Sequence, residues 1–366
     1  MLKIFQNKLI QKNLFGLSSK GKSVYQYTLS SESGLVCKIL NYGGTIKELW
    51  IPDKNGKLID VVLGFDTLEE YEKFNSSYFF GSIIGRYANR IANGRFQIDN
   101  KIYQLPLNDG DRPNTLHGGL NGFHSAVFDA AFEETNSKQA VLVLKYKSSD
   151  GEEGFPGNLD VTVTYTLADL QLVVEYFATT DKPTVVNMTQ HSYFNLSAKD
   201  TILDHYLVIN GDFYTPVDEN LIPTGEIKPV EGTALDFRKP RKISDGISQI
   251  LQEGFLGYDH NFVIKGKVGE LRFAAALFEE STGICMEVYT TQPGLQLYTG
   301  NYLSNVRGKH GRIYNRYAGL CLETQNFPDA PNHENFPSAL LLPGQVYHHK
   351  TIYKFRYFDK LPMNFE

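Results

Sequence analysis

Along most of the chain, apolar and polar residues alternate with a period of two. QAVLVLKYKS (139–148), LDVTVTYTLA (159–168) and QLVVEYFATT (171–180) are rich in Val, Tyr and Thr, and nearly every second side chain is apolar. That period places successive side chains on opposite faces of a sheet, so each run predicts a strand with one buried face. The Gly, Pro and Asp residues between them supply turns. SVYQYTLSSESGLVCKIL (23–40) predicts two more strands around a Ser/Gly turn. GTIKELWIPDKNGKLIDVVLGF (44–65) predicts a pair joined at DKNG, and GRFQIDNKIYQL (94–105) a hairpin turning at Asp99-Asn100. Helical patterns are short: TLEEYEKF (67–74), with Asp66 as the expected N-cap, and a turn or two in ISDGISQILQEG (243–254). The chain shows no internal repeat, low-complexity segment or long linker. Strands spaced this way from end to end predict an all-β fold. Two large antiparallel sheets packed as one β-sandwich, with a few short helices, are expected to form a single domain over residues 1–366.

Composition narrows the function. Hydrophobic residues make up 42% and charged residues 21% of 366 positions, enough for a large core. The formal net charge of −5 carries no polybasic block, which argues against a nucleic-acid or membrane-surface role. Cys37, Cys285 and Cys321 are far apart and fit no metal or disulfide pattern. MLKIFQNKLIQKNLF at the N-terminus has no signal-like apolar stretch, and no 18-residue apolar run occurs. A soluble, cytoplasmic protein, a monomer or weak homodimer, is expected. Tyrosine is plentiful, with 22 residues, and its flat ring with a polar tip suits either a packed core or sugar binding.

Several segments interrupt the alternation with polar groups that a fold does not need. GSIIGRYANRIANGRF (81–96) sets Arg86, Asn89, Arg90 and Arg95 among glycines, where backbone can approach a ligand and Arg can offer its planar fork of donors. NTLHGG (114–119) places His117 before two glycines. In NMTQHSYFNLS (187–197), alternation puts His191, Tyr193 and Asn195 on one face, with Gln190, Ser192, Phe194 and Leu196 on the other. GYDHNFVI (257–264) holds Asp259 and His260, and TTQPGLQLYTGN (290–301) holds Gln292, Gln296, Tyr298 and Asn301. In GLCLETQNFPDAPN (319–332), Glu323 enters an apolar strand, a costly place for a carboxylate that is not hydrogen-bonded or paired. Each segment also has a plain structural reading, from turn chemistry to loop bridging. His117, His191, Asp259 and Glu323 could ligate a metal, but no HExxH or HxH spacing supports one. Ser192 is no nucleophile candidate without GxSxG and with its side chain opposite His191.

In order and wording, GRYANRIANGRF, LHGG, QHSYFNL, YTPVDENLIPTGEI, DFR, YDHNF, QPGLQLYTGN and CLETQNFPDAPN resemble the aldose 1-epimerase (galactose mutarotase) family, from about Leu40 to Phe355. SSDGEEGFPGNL fits the same family. The resemblance implies a β-supersandwich whose open cleft takes a free aldose such as galactose or glucose and interconverts its anomers, without cofactor or metal. It implies His191 as general acid and Glu323 as general base. Asn89, Arg90, His117, Asp259 and Gln296 would hold the sugar hydroxyls, with Ser192 and Tyr193 lining the pocket. With ordinary values of about 4.3 for Glu and 6.5 for His, Glu323 is expected ionised where Arg or backbone donors surround it. Its charge would then help keep His191 protonated. Two departures from the family pattern stand out: NDGDRPN (108–114) is slightly long, and Gln190 stands where Asn is expected. Competing readings are a hexose-6-phosphate epimerase using Arg86, Arg112 and Arg238, a glycosidase using Asp259 and Glu323, and a non-catalytic sugar sensor.

Overall fold

The computed structural model describes residues 9–135, 138–197 and 199–362, and a nine-stranded antiparallel sheet dominates it. Its spatial order is Asp129–Thr135, Gln139–Ser148, Leu159–Ala168, Gln171–Thr180, Tyr347–Tyr357, Ile284–Thr290, Arg272–Phe278, Tyr206–Ile209 and Arg241–Lys242. The period-two runs form strands of its first half, each with one buried face as the alternation predicts. Val161, Val163, Tyr165 and Leu167 are buried, while Asp160, Thr162, Thr164 and Thr166 between them point outward.

The second layer is divided, where one large sheet was expected. The first part is a five-stranded meander of Ile10–Leu17, Ser23–Ser30, Val36–Leu40, Ile46–Pro52 and Leu58–Asp60. The second is a five-stranded sheet ordered Lys228–Pro229, Phe213–Thr215, Asp259–Val263, Gly294–Tyr298 and Cys321–Gln325. One apolar cluster joins all three, with Leu29, Ile39 and Leu49 of the meander, Leu144, Val163 and Val174 of the large sheet, and Phe262, Leu295 and Leu322 of the third. The Tyr165 hydroxyl also donates across the sandwich to the Gly44 carbonyl at 2.6 Å.

The segment 187–197 lies at the seam between the two smaller sheets, which explains its broken alternation. Only Thr189–Gln190 forms a strand, paired with Ile83–Ile84. Phe194 then bridges Val62 of the neighbouring loop on one side and Leu320 on the other. Gln190 is spent on this path, donating to the Gly81 carbonyl and accepting from the Ser192 amide.

The longest helix, Leu68–Tyr78, is capped by Thr67 rather than Asp66. Thr67 and Glu70 form a reciprocal capping box that satisfies two otherwise unpaired amides, whereas Asp66 accepts from the His310 amide. The chain leaves this helix through Phe79 in the left-handed conformation (φ 55°), and its buried ring packs against His117 and His191. The second predicted helical segment forms a 3-10 turn, Ile243–Gly246, and a short helix, Ile247–Gln252. No helix among the described residues is long and apolar enough to cross a membrane.

Candidate active site

Two kinds of backbone meet at a cavity of about 490 Å³, within the range of small-molecule sites. One wall is sheet. Antiparallel register sets Gln296 opposite Glu323 and Tyr298 opposite Cys321, while Asp259 lies opposite Tyr298 on the next strand. Gln296 Nε2 donates to Asp259 Oδ1 at 2.6 Å. Gln296 Oε1 and Glu323 Oε2 are buried without a protein partner, although both residues line the cavity. Such orphaned acceptors are costly unless something else supplies hydroxyl donors.

The other wall is made of turns and the ends of the short strands Arg90–Ala92 and Asn114–Leu116. Asn89 and His117 both have positive φ, 65° and 52°, and clasp each other through the backbone. The His117 amide donates to the Asn89 carbonyl, and the Asn89 amide donates to His117 Nδ1 at 3.2 Å. Gly118 follows because no Cβ fits there: one would lie 2.0 Å from the Gly85 carbonyl oxygen. Arg90 is buried, with Nε donating to Asp109 Oδ2 at 2.8 Å and Nη1 3.9 Å from Asp259 Oδ2. His191 is pinned by its backbone, its amide donating to Ser82 O and its carbonyl accepting from Gly81. Its Nε2 lies 3.7 Å from Glu323 Oε1.

Burial sets the protonation of these groups. It pushes the Glu323 carboxyl well above the usual range, aided by Asp259 and opposed by Arg90. It lowers the His191 imidazole to about 4, against a smaller upward pull from its own backbone. His117 is pushed well down by burial, then by His191 and Arg90. Burial also works against the Arg90 guanidinium, but Asp259 and Asp109 outweigh it and keep the charge. The expected ionised Glu323 beside a protonated His191 is therefore not the form that burial among the protein's own groups favours. No backbone donor reaches Glu323 Oε2, and desolvation favours the uncharged forms of both groups.

Three comparisons bear on this arrangement. The aldose 1-epimerase family model matches residues 25–354. The chain belongs to the aldose 1-epimerase family. It is 47% identical to the galactose mutarotase of Mus musculus over 350 residues, 94% of this chain and 98% of that protein. It is 37% identical to the aldose 1-epimerase of Escherichia coli K12, covering 93% and 97% of the two chains. A crystal structure of galactose 1-epimerase from Lactobacillus acidophilus superposes with a TM-score of 0.83 at 31% identity, covering 95% of this chain and 98% of that one.

Of the positions implied by likeness to the aldose 1-epimerases, Asn89, Arg90, His117, His191, Tyr193, Asp259, Gln296 and Glu323 all line the cavity. Ser192 does not. Its side chain is buried away from the cavity lining, and its Oγ has no partner. Asn195, expected on the face of His191, turns its amide away to the carbonyls of Lys199 and Ala318. Arg86 is structural: its guanidinium donates to Ser148 Oγ and to the carbonyls of Ser148, Ser149 and Pro156. Asn301 and Gln292 likewise spend their amides on Tyr258 and on Tyr347 and Met188.

Phe79, Asp109 and Tyr302 also line the cavity and were not marked by the sequence, while Tyr298 was marked only as one of several polar residues in its segment and Arg112 only as a phosphate contact. Tyr298 was within reach, since it follows Gln296 by two positions on one strand face. Asp109 and Arg112 belong to the long NDGDRPN segment, where Asp109 bridges Arg90 and Arg112 and Arg112 donates to the Tyr302 hydroxyl. His117, His191 and Glu323 also group their potential metal-ligand atoms within 4.8 Å of one another. Because His117 Nδ1 accepts the Asn89 amide, its neutral ring carries the proton on Nε2. That nitrogen offers the cavity an N–H rather than a lone pair, which suits a hydroxyl oxygen better than a metal ion.

Proposed function

We infer that the chain is a mutarotase that interconverts the α and β anomers of a free aldohexose such as galactose or glucose. The supporting observation is the buried His191–Glu323 pair, 3.7 Å apart, facing a cavity whose other polar groups suit hydroxyls. Anomer exchange moves only protons and one C–O bond. A base takes the proton of the C1 hydroxyl while an acid gives one to the departing ring oxygen. Rotation about C1–C2 presents the other face of the aldehyde, and the ring closes with the roles reversed.

In this reading Glu323 is the base and His191 the acid for opening, and the pair carries one proton throughout. Opening starts from carboxylate and imidazolium and leaves carboxylic acid and neutral imidazole. Closing runs from that neutral pair back to the charged one. The uncharged forms that burial favours are thus those that ring opening produces. A bound sugar would offer hydroxyl donors to Glu323 and an acceptor oxygen to His191, lowering the cost of the charged state. General acid–base catalysis contributes about 10²–10⁴-fold per group.

Arg90, with Asn89, His117, Asp259 and Gln296, would hold the remaining hydroxyls, and Asp109 would orient Arg90. We read the chain as one domain of this kind acting on a free sugar. A 6-phosphorylated sugar fits less well. Of the three arginines it would recruit, Arg86 is consumed by a loop and Arg238 pairs with Asp236 and Glu231, leaving Arg112 alone at the cavity. Polarimetry of freshly dissolved α-D-galactose, α-D-glucose and glucose 6-phosphate tests this. Fast anomerisation of the neutral sugars is expected. Preference for the phosphate ester would overturn the substrate assignment.

A further inference from the structure

The mechanism uses His191 Nε2 and leaves Nδ1 unexplained. The strand that carries Glu323 also supplies a partner for this second nitrogen. Cys321 and Glu323 are two residues apart on Cys321–Gln325 and so share a face. Cys321 Sγ lies 3.5 Å from His191 Nδ1, and Glu323 Oε1 lies 3.7 Å from Nε2. The thiol is fully buried.

Aromatic packing against Phe79, His117 and Tyr193 sets the plane of the imidazole but not its sense. A half-turn about the Cβ–Cγ bond exchanges nitrogen and carbon positions within nearly the same volume, and for such rings the two senses are close in intrinsic energy. Only polar contacts distinguish them. A flipped ring would turn carbon toward both Cys321 and Glu323.

We propose that Cys321 is a positioning residue of the mutarotase site, its sulfur accepting Nδ1–H of His191 so that Nε2 is the nitrogen that exchanges the proton. The inference rests on the assignment of His191 as the acid. With Nδ1–H retained through the cycle, imidazolium loses only its Nε2 proton, and the neutral ring presents a bare Nε2 to take it back. Sulfur suits the task because it is a weak, uncharged acceptor. A carboxylate in its place would stabilise the imidazolium and weaken it as an acid. Cys321 stays a thiol: burial, then the charges of Glu323 and Asp259, oppose its ionisation.

Nitrogen-15 NMR of histidine-labelled protein at neutral pH reads the tautomer directly. Wild-type His191 is expected as the Nδ1–H form, and an Nε2–H form would overturn the proposal. In C321A the tautomers are expected to mix, with kcat falling about tenfold, the low end of what losing the outer hydrogen-bond partner of a metal-bound histidine costs. KM should stay within about twofold, since Cys321 does not line the cavity. C321S restores a small uncharged acceptor, so it is expected to recover the Nδ1–H form and most of kcat. It also serves if C321A does not fold. Wild-type kcat with an unchanged tautomer in C321A, or no recovery in C321S, would refute the role. An active H191N would instead refute the underlying assignment of His191.

Discussion

The two walls of the cavity reach the same precision by different means. On the sheet wall, Glu323, Gln296 and Asp259 are aimed by antiparallel register and need no special backbone. On the turn wall, Asn89 and His117 sit at positive φ, and Arg90 and His191 are held by contacts far apart in sequence. A carboxylate can be placed by a strand because strand geometry repeats. The imidazoles of His117 and His191 sit where the chain turns out of short strands, and there the conformation must be fixed residue by residue. The sheet wall should therefore tolerate side-chain changes structurally while losing chemistry. The turn wall should also be vulnerable through its backbone.

The largest effect is expected at the pair joining the walls. Glu323→Gln and His191→Asn should each lower kcat by about 10²–10⁴-fold. Neither should lower the melting temperature by more than a few degrees, because each replaces an ionisable group that burial disfavours as an ion. A large thermal destabilisation would mean that these groups hold the fold rather than do chemistry.

Next is Asp109→Asn, which weakens the 2.8 Å contact to Arg90 Nε from the turn side. Charge-assisted hydrogen bonds of about 1.5–3 kcal/mol predict a loss of about 10–100-fold in kcat/KM, mostly as a raised KM if Arg90 acts in binding. Steady-state kinetics on α-D-galactose would decide it, and a pure kcat loss would contradict the binding role.

A smaller effect separates backbone from side chain. Asn89→Val forces a β-branched residue into the left-handed region and should cost about 1–2 kcal/mol, read as a lower midpoint in urea. Asn89→Gly should keep the midpoint close to wild type while raising KM through loss of the amide. Equal midpoints for the two variants would remove the argument that φ matters on this wall.

The effect spread over the most groups, and partly cancelling among them, is in pH dependence. Burial lowers His124, His191, His260 and His349 to about 4. Below about pH 6.5 the unfolded chain therefore binds protons that the folded chain does not. Stability should fall as pH drops from there towards 4, by up to about 1.4 kcal/mol per histidine per pH unit. The raised carboxyls of Glu323 and Asp259 act with the opposite sign, being protonated in the fold while ionised in the unfolded chain. Denaturation midpoints from pH 7 to 4.5 would measure the balance. For His191, Asn should flatten the slope.

What could be read from sequence divides along the same line. The large sheet was legible because Val161, Val163, Tyr165 and Leu167 repeat every second position and face one core. Glu323 was legible as a carboxylate interrupting such a repeat. Arg90, Asn89, His117 and His191 stood out as polar groups interrupting the alternation, but that signal had a structural reading too, and the motif resemblance was what gave them roles. Asp109 was hidden because its partner Arg90 is 19 residues away. Ser192 was placed at the pocket by the resemblance alone, although the alternation put it on the face opposite His191, and it does not line the cavity. Protonation was misread for a physical reason. Motifs carry the identity of the neighbours but not the depth of burial, and burial is the largest influence on both members of the pair.

The most direct test of the pair is a double-mutant cycle, followed by polarimetry of α-D-galactose. H191N, E323Q and the double variant should be compared at concentrations where each single variant still exceeds the spontaneous rate. If the two groups pass one proton as a unit, the double variant should be no slower than the slower single variant, because residues acting together lose their function together. Losses that multiply would show two independent contributions and contradict the shared-proton mechanism.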